Sequence, residues 1–340
     1  VVGITSPGEE IKDVVNDEGI RVIEVEMTRT ISPIKDLVSL WKIYKLIKKE
    51  KPFIVHSHTP KAGTLGMMAA KLAGVPNRLH TIAGLPLLVA TGAKRKLLDF
   101  VEKITYACAT KIYPNSLGLK DIIIQNGYTK PSKLKVIANG SSNGIDVNHF
   151  SIENISEETK TTLREELNII EDDIVFVFVG RLVTDKGINE LISAFKKLSA
   201  DYQNIKLLLL GTFESELDPL HDSTLNEIES NNNIINVGWQ TDVRPYFAIS
   251  NVLAFPSYRE GFPNVVMQAG AMELPSIVTN INGCNEIIIE GVNGLIIPAK
   301  DENELYLAML NIIENPSKQK ELANASRKMI CDNYQLQVIW

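Results

Sequence analysis

At 340 residues, with 44% apolar, 22% charged and 6% aromatic side chains, the chain has material for two cores of ordinary domain size and too much apolar content for bulk disorder. No run approaches the roughly 20 apolar residues of a spanning helix; the longest candidate, Thr81–Ala93, is broken by two glycines and a proline. The net charge of −6 is uneven: residues 1–150 carry 21 Lys and Arg against 13 Asp and Glu, residues 151–340 carry 14 against 28. A basic half suits an anionic partner (nucleic acid, a membrane surface or a phosphorylated substrate), although the same charges also solvate helix faces. Cys108, Cys284 and Cys331 are odd in number and far apart, which reads as reduced core thiols in a cytoplasmic protein rather than a disulfide framework or a metal cluster. No signal peptide or methionine opens the chain, so its start is expected to lie upstream.

Taken in order, the predicted strands are Arg21–Glu26, Phe53–Ser57, Lys111–Tyr113, Leu134–Ile137, Ile174–Val179, Ile205–Leu210, Val252–Phe255 and Ser276–Thr279. Several are continuous apolar runs, the pattern of parallel strands covered on both faces. Helical periodicity falls on Ile34–Lys49, Lys61–Ala73, Arg95–Ala107, Ile188–Ala200, Pro263–Met272 and Lys318–Asn333. Strand and helix alternate in both halves, so the fold class is α/β with doubly wound sheets. The turn-rich Asn139–Phe150 marks the join, which gives a first domain of residues 1–145, a second of 146–316 and a terminal helix in 317–340. The apolar Tyr334–Trp340 is expected to be docked.

Neither the dinucleotide fingerprint nor the P-loop is present. Strand ends instead carry the chemistry-bearing residues. Gly180-Arg-Leu-Val-Thr-Asp-Lys-Gly187 joins a strand to a helix; Gly180 permits close backbone approach, and Arg181 and Lys186 bring two cations to a helix start, a set that suits a diphosphate. An ordinary loop with exposed cations reads the same way. Tyr258-Arg-Glu-Gly-Phe-Pro-Asn-Val-Val-Met-Gln-Ala-Gly270 follows another strand, with Pro263 expected as the first helical residue. Glu260 beside free helix N–H groups suits sugar hydroxyls, or simply caps the helix. Gln268 lies one turn beyond Asn264 on the same face. Gly211 and Asn280–Glu286 follow two further strands. In the first half, Val55–Gly63 presents His58, Thr59 and Lys61 toward a cleft, with His56 expected on the buried pleat face. Two histidines at i and i+2 without acidic or thiol neighbours make a poor metal site. His80-Thr-Ile-Ala-Gly-Leu-Pro86 is a further strand end that runs into a loop at Gly84. Lys94, Arg95 and Lys96 then open an amphipathic stretch that suits a membrane-associated acceptor or the core.

Together these segments resemble the retaining glycosyltransferases of family 4, of GT-B architecture: two Rossmann-like domains facing a central cleft. The resemblance runs in order through His56–Gly63, Asn139–Phe150, Gly180–Gly187, Pro256–Pro275 and Gly283–Glu286. It is strongest to bacterial enzymes that extend capsular, O-antigen or other lipid-linked glycans. It implies transfer from a nucleotide-diphosphate sugar, UDP-linked, to a glycan or undecaprenyl-pyrophosphate-linked acceptor in cell-surface polysaccharide synthesis. It further implies a cytoplasmic protein, peripheral at the inner membrane face, with no metal or other cofactor and no nucleic-acid partner; no Asp-x-Asp occurs in the sequence. On this reading Arg181, Lys186 and Glu260 are catalytic. Gly180, Gly211, Gly261, Phe262, Pro263, Asn264 and Gln268 bind the donor, and His58, Thr59, Lys61 and Gly84 line the acceptor side. The last helix is expected to pack back toward the first domain.

Three departures accompany the resemblance. Gln268 stands where the family signature has a second glutamate, eight residues after the first. Ala83 stands where many relatives have a histidine. The family's first strand and glycine-rich loop are expected to precede Val1, and the carboxy-terminal end looks clipped. Two other functions stay open: a non-catalytic nucleotide-sugar binder or partner subunit, and a sugar-nucleotide epimerase of the same architecture.

Overall fold

The computed structural model describes residues 1–8, 11–28, 32–214, 216 and 218–339; the docking expected for Trp340 lies outside them. The chain forms two compact units. One comprises Val1–Asn115 and Leu119–Val136, the other Ser116–Gly118 and Ile137–Trp340.

The first unit runs β1 (Val2–Thr5), α1 (Ile11–Glu18), β2 (Arg21–Glu24), α2 (Pro33–Glu50), β3 (Ile54–Ser57), α3 (Pro60–Ala73), β4 (Asn77–Ile82), α4 (Gly92–Cys108), β5 (Lys111–Pro114) and, from Leu119 onward, α5 (Leu117–Gln125). Every pairing is parallel, as βαβ crossovers require. The strands fall into two groups, β1-β2 and β3-β4-β5, rather than one continuous sheet. Helix α3 shows how local signals set an element. Pro60 supplies a preset φ at its first position, and Gly74 ends it in the left-handed conformation at φ 80°. The strand expected at Leu134–Ile137 is not formed; Pro131 fixes a 3₁₀ turn over Pro131–Lys133, leaving Leu134 a single bridge to Ile112.

The second unit runs α6 (Glu157–Glu166), β6 (Ile174–Val179), α7 (Ile188–Asp201), β7 (Ile205–Leu210), α8 (Asp222–Ser230), β8 (Ile234–Gly238), α9 (Arg244–Ala248), β9 (Val252–Phe255), α10 (Asn264–Ala271), β10 (Ser276–Thr279), α11 (Cys284–Ile287), β11 (Gly294–Ile297), α12 (Glu302–Glu314), α13 (Pro316–Tyr334) and α14 (Leu336–Ile339). Its six strands form one parallel sheet in the order β11-β10-β9-β6-β7-β8. Val175–Phe178 of β6 are buried on both faces, which is why that strand reads as an unbroken apolar run. Helix α7 covers it with Ile188, Leu191, Ile192, Phe195 and Leu198, the i, i+3, i+4, i+7 stripe of a core-facing helix. Helix α13 packs along α10, and Arg327 donates to the carbonyls of Phe150, Val147 and Ala271. The chain after it is docked through Leu336 N–H to the Ile145 carbonyl. The order of strands reverses between β6 and β9: β7 and β8 follow on one side, β10 and β11 on the other. In such sheets ligands bind beyond the carboxyl ends of the strands at this switch point.

Candidate active site

The loops after β6 and β9 flank the switch point, and they carry Lys186 and Glu260. The two side chains form an ion pair, about 16% and 15% exposed. Ser257 Oγ donates to the same Glu260 oxygen at 2.8 Å, and Lys186 Nζ lies 5.6 Å from the centre of the Phe255 ring. A carboxylate and an ammonium so enclosed interact more strongly than a surface pair, and removing either leaves the other poorly compensated. Arg181, on the same β6–α7 loop, has a side chain nearly half exposed and donates to Glu214 at 2.7 Å. Glu214 lies outside the sequence motifs, and Ser257 is not among the residues they single out.

Three glycines let these loops press together backbone to backbone. A Cβ on Gly211, at φ 151°, would stand 1.8 Å from the Gly180 carbonyl oxygen. One on Gly187 would meet the Pro256 carbonyl at 2.1 Å, and one on Gly283 the Gly261 carbonyl at 2.4 Å. The segment after β10 thus completes the rim, as its place in the sequence suggested. Asn282 Nδ2 also donates to the carbonyl of Glu260.

Asp185, next to Lys186, ties the same two loops together. Its carbonyl accepts from Tyr258 N–H at 2.9 Å and its carboxylate pairs with Arg259 at 2.5 Å. Tyr258 Oη donates to Glu190 at 2.5 Å, and burial with that contact pushes the phenol well above its ordinary pKa. Among the described residues, side-chain atoms Asp185 Oδ1, Glu190 Oε2 and Arg259 Nε are buried without a hydrogen-bond partner.

Phe262 is buried against Tyr334, their ring centres 5.4 Å apart. Pro263 is the N-cap residue of α10 and not its first helical residue, because its ψ of 113° is extended. Asn264 therefore opens the helix; Val266 N–H bonds the Pro263 carbonyl at 3.2 Å, and the N–H groups of Asn264 and Val265 are those a helix start leaves without an intrahelical acceptor. Gln268 is half-buried one turn further along.

In the first unit a cavity of about 730 Å³ lies between the end of β1 and β3. Ile4, Thr5 and Ser6 line it on one side, His56, His58 and Thr59 on another. Lys61 also lines it, but its ammonium is held by Asp36 at 2.7 Å and by Thr28 Oγ1 at 3.0 Å. Gly84 is outside the lining, where Pro86 contributes instead. His56 is exposed toward the cavity rather than buried, because β3 is an edge strand of its group; the buried neighbour is Ser57. His56 Nε2 meets Thr81 Oγ1 at 2.8 Å, and Ser57 Oγ meets His80 Nδ1 at 2.9 Å. Enclosure lowers the pKa of both His56 and His80 to about 4, and lowers that of His58.

Comparison with known proteins matches residues 159–329 to the family described as glycosyl transferases group 1, and residues 1–116 to the family described as glycosyl transferase 4-like. A capsular polysaccharide biosynthesis glycosyltransferase of Staphylococcus aureus is 36% identical over 337 residues, covering 99% of this chain and 86% of the relative. An Escherichia coli UDP-Gal:alpha-D-GlcNAc-diphosphoundecaprenol alpha-1,3-galactosyltransferase is 30% identical over 321 residues, 92% of this chain and 80% of its own length. Among solved structures, HepE of Anabaena, in complex with UDP and glucose, superposes with a TM-score of 0.81 at 19% identity, covering 99% of this chain and 89% of that one. A glycosyltransferase of Rickettsia africae gives 0.78 at 21%, covering 99% and 86%. At those identities the structures show a shared fold, while the sequence relatives and the family match show kinship. The chain belongs to the group 1 glycosyl transferases and is a glycosyltransferase of the GT-B architecture.

Proposed function

We propose that the protein moves a sugar from a UDP-linked donor to a glycan or undecaprenyl-diphosphate-linked acceptor, with retention of configuration, at the cytoplasmic face of the membrane during cell-surface polysaccharide synthesis. The observation that carries the donor assignment is the Lys186–Glu260 pair at the switch point of the second unit's sheet. The names of the two relatives support the acceptor class, since one acts in capsule synthesis and the other on a diphosphoundecaprenol-linked sugar.

On this reading the nucleoside diphosphate lies across the ends of β6 and β9. Arg181, Lys186 and the N–H groups opening α10 oppose the charge that grows as the bond from the anomeric carbon to the diphosphate oxygen breaks. The acceptor hydroxyl attacks from the same face, and its proton passes to the departing diphosphate oxygen. No protein base is assigned, and the fixed cations do the work a metal would otherwise do. Glu260 accepts hydrogen bonds from donor-sugar hydroxyls, and the Gln268 amide serves the ribose. Glu214 holds Arg181, so the diphosphate must compete with that carboxylate. The first unit takes the acceptor, with His58, Thr59 and Lys61 lining its cavity and Gly84 outside that lining.

A panel of sugar nucleotides in a thermal-shift assay tests the assignment, since a ligand of the folded state raises its melting temperature. The expected result is a shift with one UDP-sugar that Arg181→Ala together with Lys186→Ala removes. An undiminished shift in that double variant overturns the diphosphate site. Gln268 favours a second reading, donor binding without transfer. Turnover of a lipid-linked acceptor by the parent rules it out.

A further inference from the structure

We propose that the outward face of α2 docks on an anionic lipid surface, through Ile34, Leu37, Val38 and Trp41 together with the lysines of the following turns. The proposal deepens the reading that the acceptor is lipid-linked, and rests on it. Helix α2 turns Ser39, Ile43 and Ile47 inward, where it packs along α3. At 100° per residue the opposite side gathers Ile34, Leu37, Val38 and Trp41, which are 80%, 65%, 50% and 56% exposed. Leu72 of α3, 67% exposed, lies beside them, and Leu37, Leu40, Trp41, Tyr44 and Leu72 line a groove of about 360 Å³. Single exposed apolar residues need no explanation; a contiguous ridge with a tryptophan at its centre does.

The charges choose the occupant. Lys42, Lys45, Lys48 and Lys49 are all exposed on the later turns of the same helix. Its two acids are engaged elsewhere, Asp36 with Lys61 and Glu50 with Arg21. Lys45 Nζ stands 5.2 Å from the centre of the Trp41 ring, which stacks on Tyr44 at 5.3 Å, so the basic and apolar parts adjoin. Large apolar side chains followed by exposed lysines suit the boundary between acyl chains and anionic headgroups. A second copy of this chain is disfavoured, because a two-fold contact through this face would bring the same lysines against each other. Helix α4, where the sequence placed Lys94, Arg95 and Lys96, is less suited: Arg95 is paired with Asp99, four residues along the same helix.

The test uses the full chain with Trp239→Phe and Trp340→Phe, leaving Trp41 as reporter. Vesicles of phosphatidylglycerol with phosphatidylcholine are compared with phosphatidylcholine alone, by emission shift and co-sedimentation. The expected result is a blue shift and partition with the anionic vesicles only, weakened by salt. Lys45→Ala and Lys48→Ala should each weaken partition about fivefold. Leu37→Glu, which keeps the reporter, should abolish both signals without altering the melting temperature, and in the parent chain Trp41→Glu should abolish co-sedimentation. No partition by the parent chain, or equal partition by Leu37→Glu, overturns the proposal; so does a dimer in solution that Leu37→Glu dissociates. A sugar-nucleotide thermal shift on the same samples reads the donor site in the second unit, so failure of lipid docking and failure of the donor assignment are separately visible.

Discussion

Replacing Gly211 by alanine is the sharpest test of how the proposed donor site is built. The residue follows β7 at φ 151°, and its added Cβ would sit 1.8 Å from the carbonyl oxygen of Gly180, the residue that follows β6. No real Cβ contact is closer than 3.0 Å, so the two strand ends must separate by roughly 1 Å or more. Two costs add: about 1–3 kcal/mol for a side chain in glycine-only backbone, and about 1 kcal/mol for each terminal hydrogen bond that opens. The bonds at stake are Gly180 N–H to Leu210 and Gly211 N–H to Gly238, both 2.9 Å. A total near 3–5 kcal/mol lowers the melting temperature of a unit this size by about 10–15 °C. Because Arg181 follows Gly180 directly, the same displacement should cost about 100-fold in turnover. Gly238→Ala is the matched control: it too has positive φ, 77°, but its Cβ meets nothing within 4 Å. That variant should lose only about 1–2 kcal/mol and keep its donor affinity. Thermal melts and donor titrations on both variants decide the matter. If Gly211→Ala behaves like Gly238→Ala, the backbone contact does not hold the site.

Three further outcomes are expected. Lys186→Ala removes the cation beside Glu260 and should lower turnover at saturating donor by about 100- to 1,000-fold; a loss below tenfold would show that the leaving charge is stabilised elsewhere. Gln268→Glu restores a charged acceptor and should tighten the donor about three- to tenfold through a charge-assisted bond, whereas unchanged affinity in a titration would remove Gln268 from the ribose. His80, buried against Ser57 with its pKa lowered to about 4, is neutral in the fold at neutral pH, while the unfolded chain protonates near 6.5. The unfolded state therefore binds more protons between those values, so this stability is whole above about pH 7 and is lost as pH falls toward 4. The loss amounts to roughly 3 kcal/mol. Urea titrations of the parent and of His80→Gln at pH 7 and pH 4.5 should converge at the lower pH; a constant gap between them excludes the imidazole as the cause.

How far the sequence reveals the fold depends on whether an element's own residues decide it. Strands β6 and β9 are apolar on both faces, β7 is so except at Lys206, and β10 buries Ser276 and Thr279 with its two apolar residues; the boundaries of all four fall within the runs that predict them. Strand β4 is different. It reads Asn-Arg-Leu-His-Thr-Ile and lies between β3 and β5, and only its end was legible. Its polar side chains are tolerated because partners on the neighbouring strand satisfy them, His80 with Ser57 and Thr81 with His56. No pattern within β4 carries that information. The same holds for β8 and β11, short strands whose place is set by β7 and β10. At Leu134–Ile137 the error runs the other way: a β-branched run suggests a strand, but Pro131 turns the chain first.

The site divides along a similar line. Residues in strand-to-helix loops were legible, because the order of a parallel sheet sends every such loop to one edge, and glycine in them marks where backbones must touch. That reasoning brings Lys186 to Glu260 without any knowledge of distance, since β6 and β9 are neighbours across the switch point. Counter-ions were not legible. Glu214 meets Arg181 across 33 residues, and Arg259 meets Asp185 across 74, so which acid neutralises which cation is a matter of side-chain reach. The consequence is chemical. A sequence can nominate two cations for a diphosphate, but their availability is set by the carboxylates that already hold them. Lys186 is bound to a residue assigned to the donor sugar, whereas Arg181 is bound to one with no assigned part in transfer. On the proposed reading, donor entry has to displace Glu214 from Arg181, whereas the Lys186–Glu260 pair is part of the surface that the donor would meet.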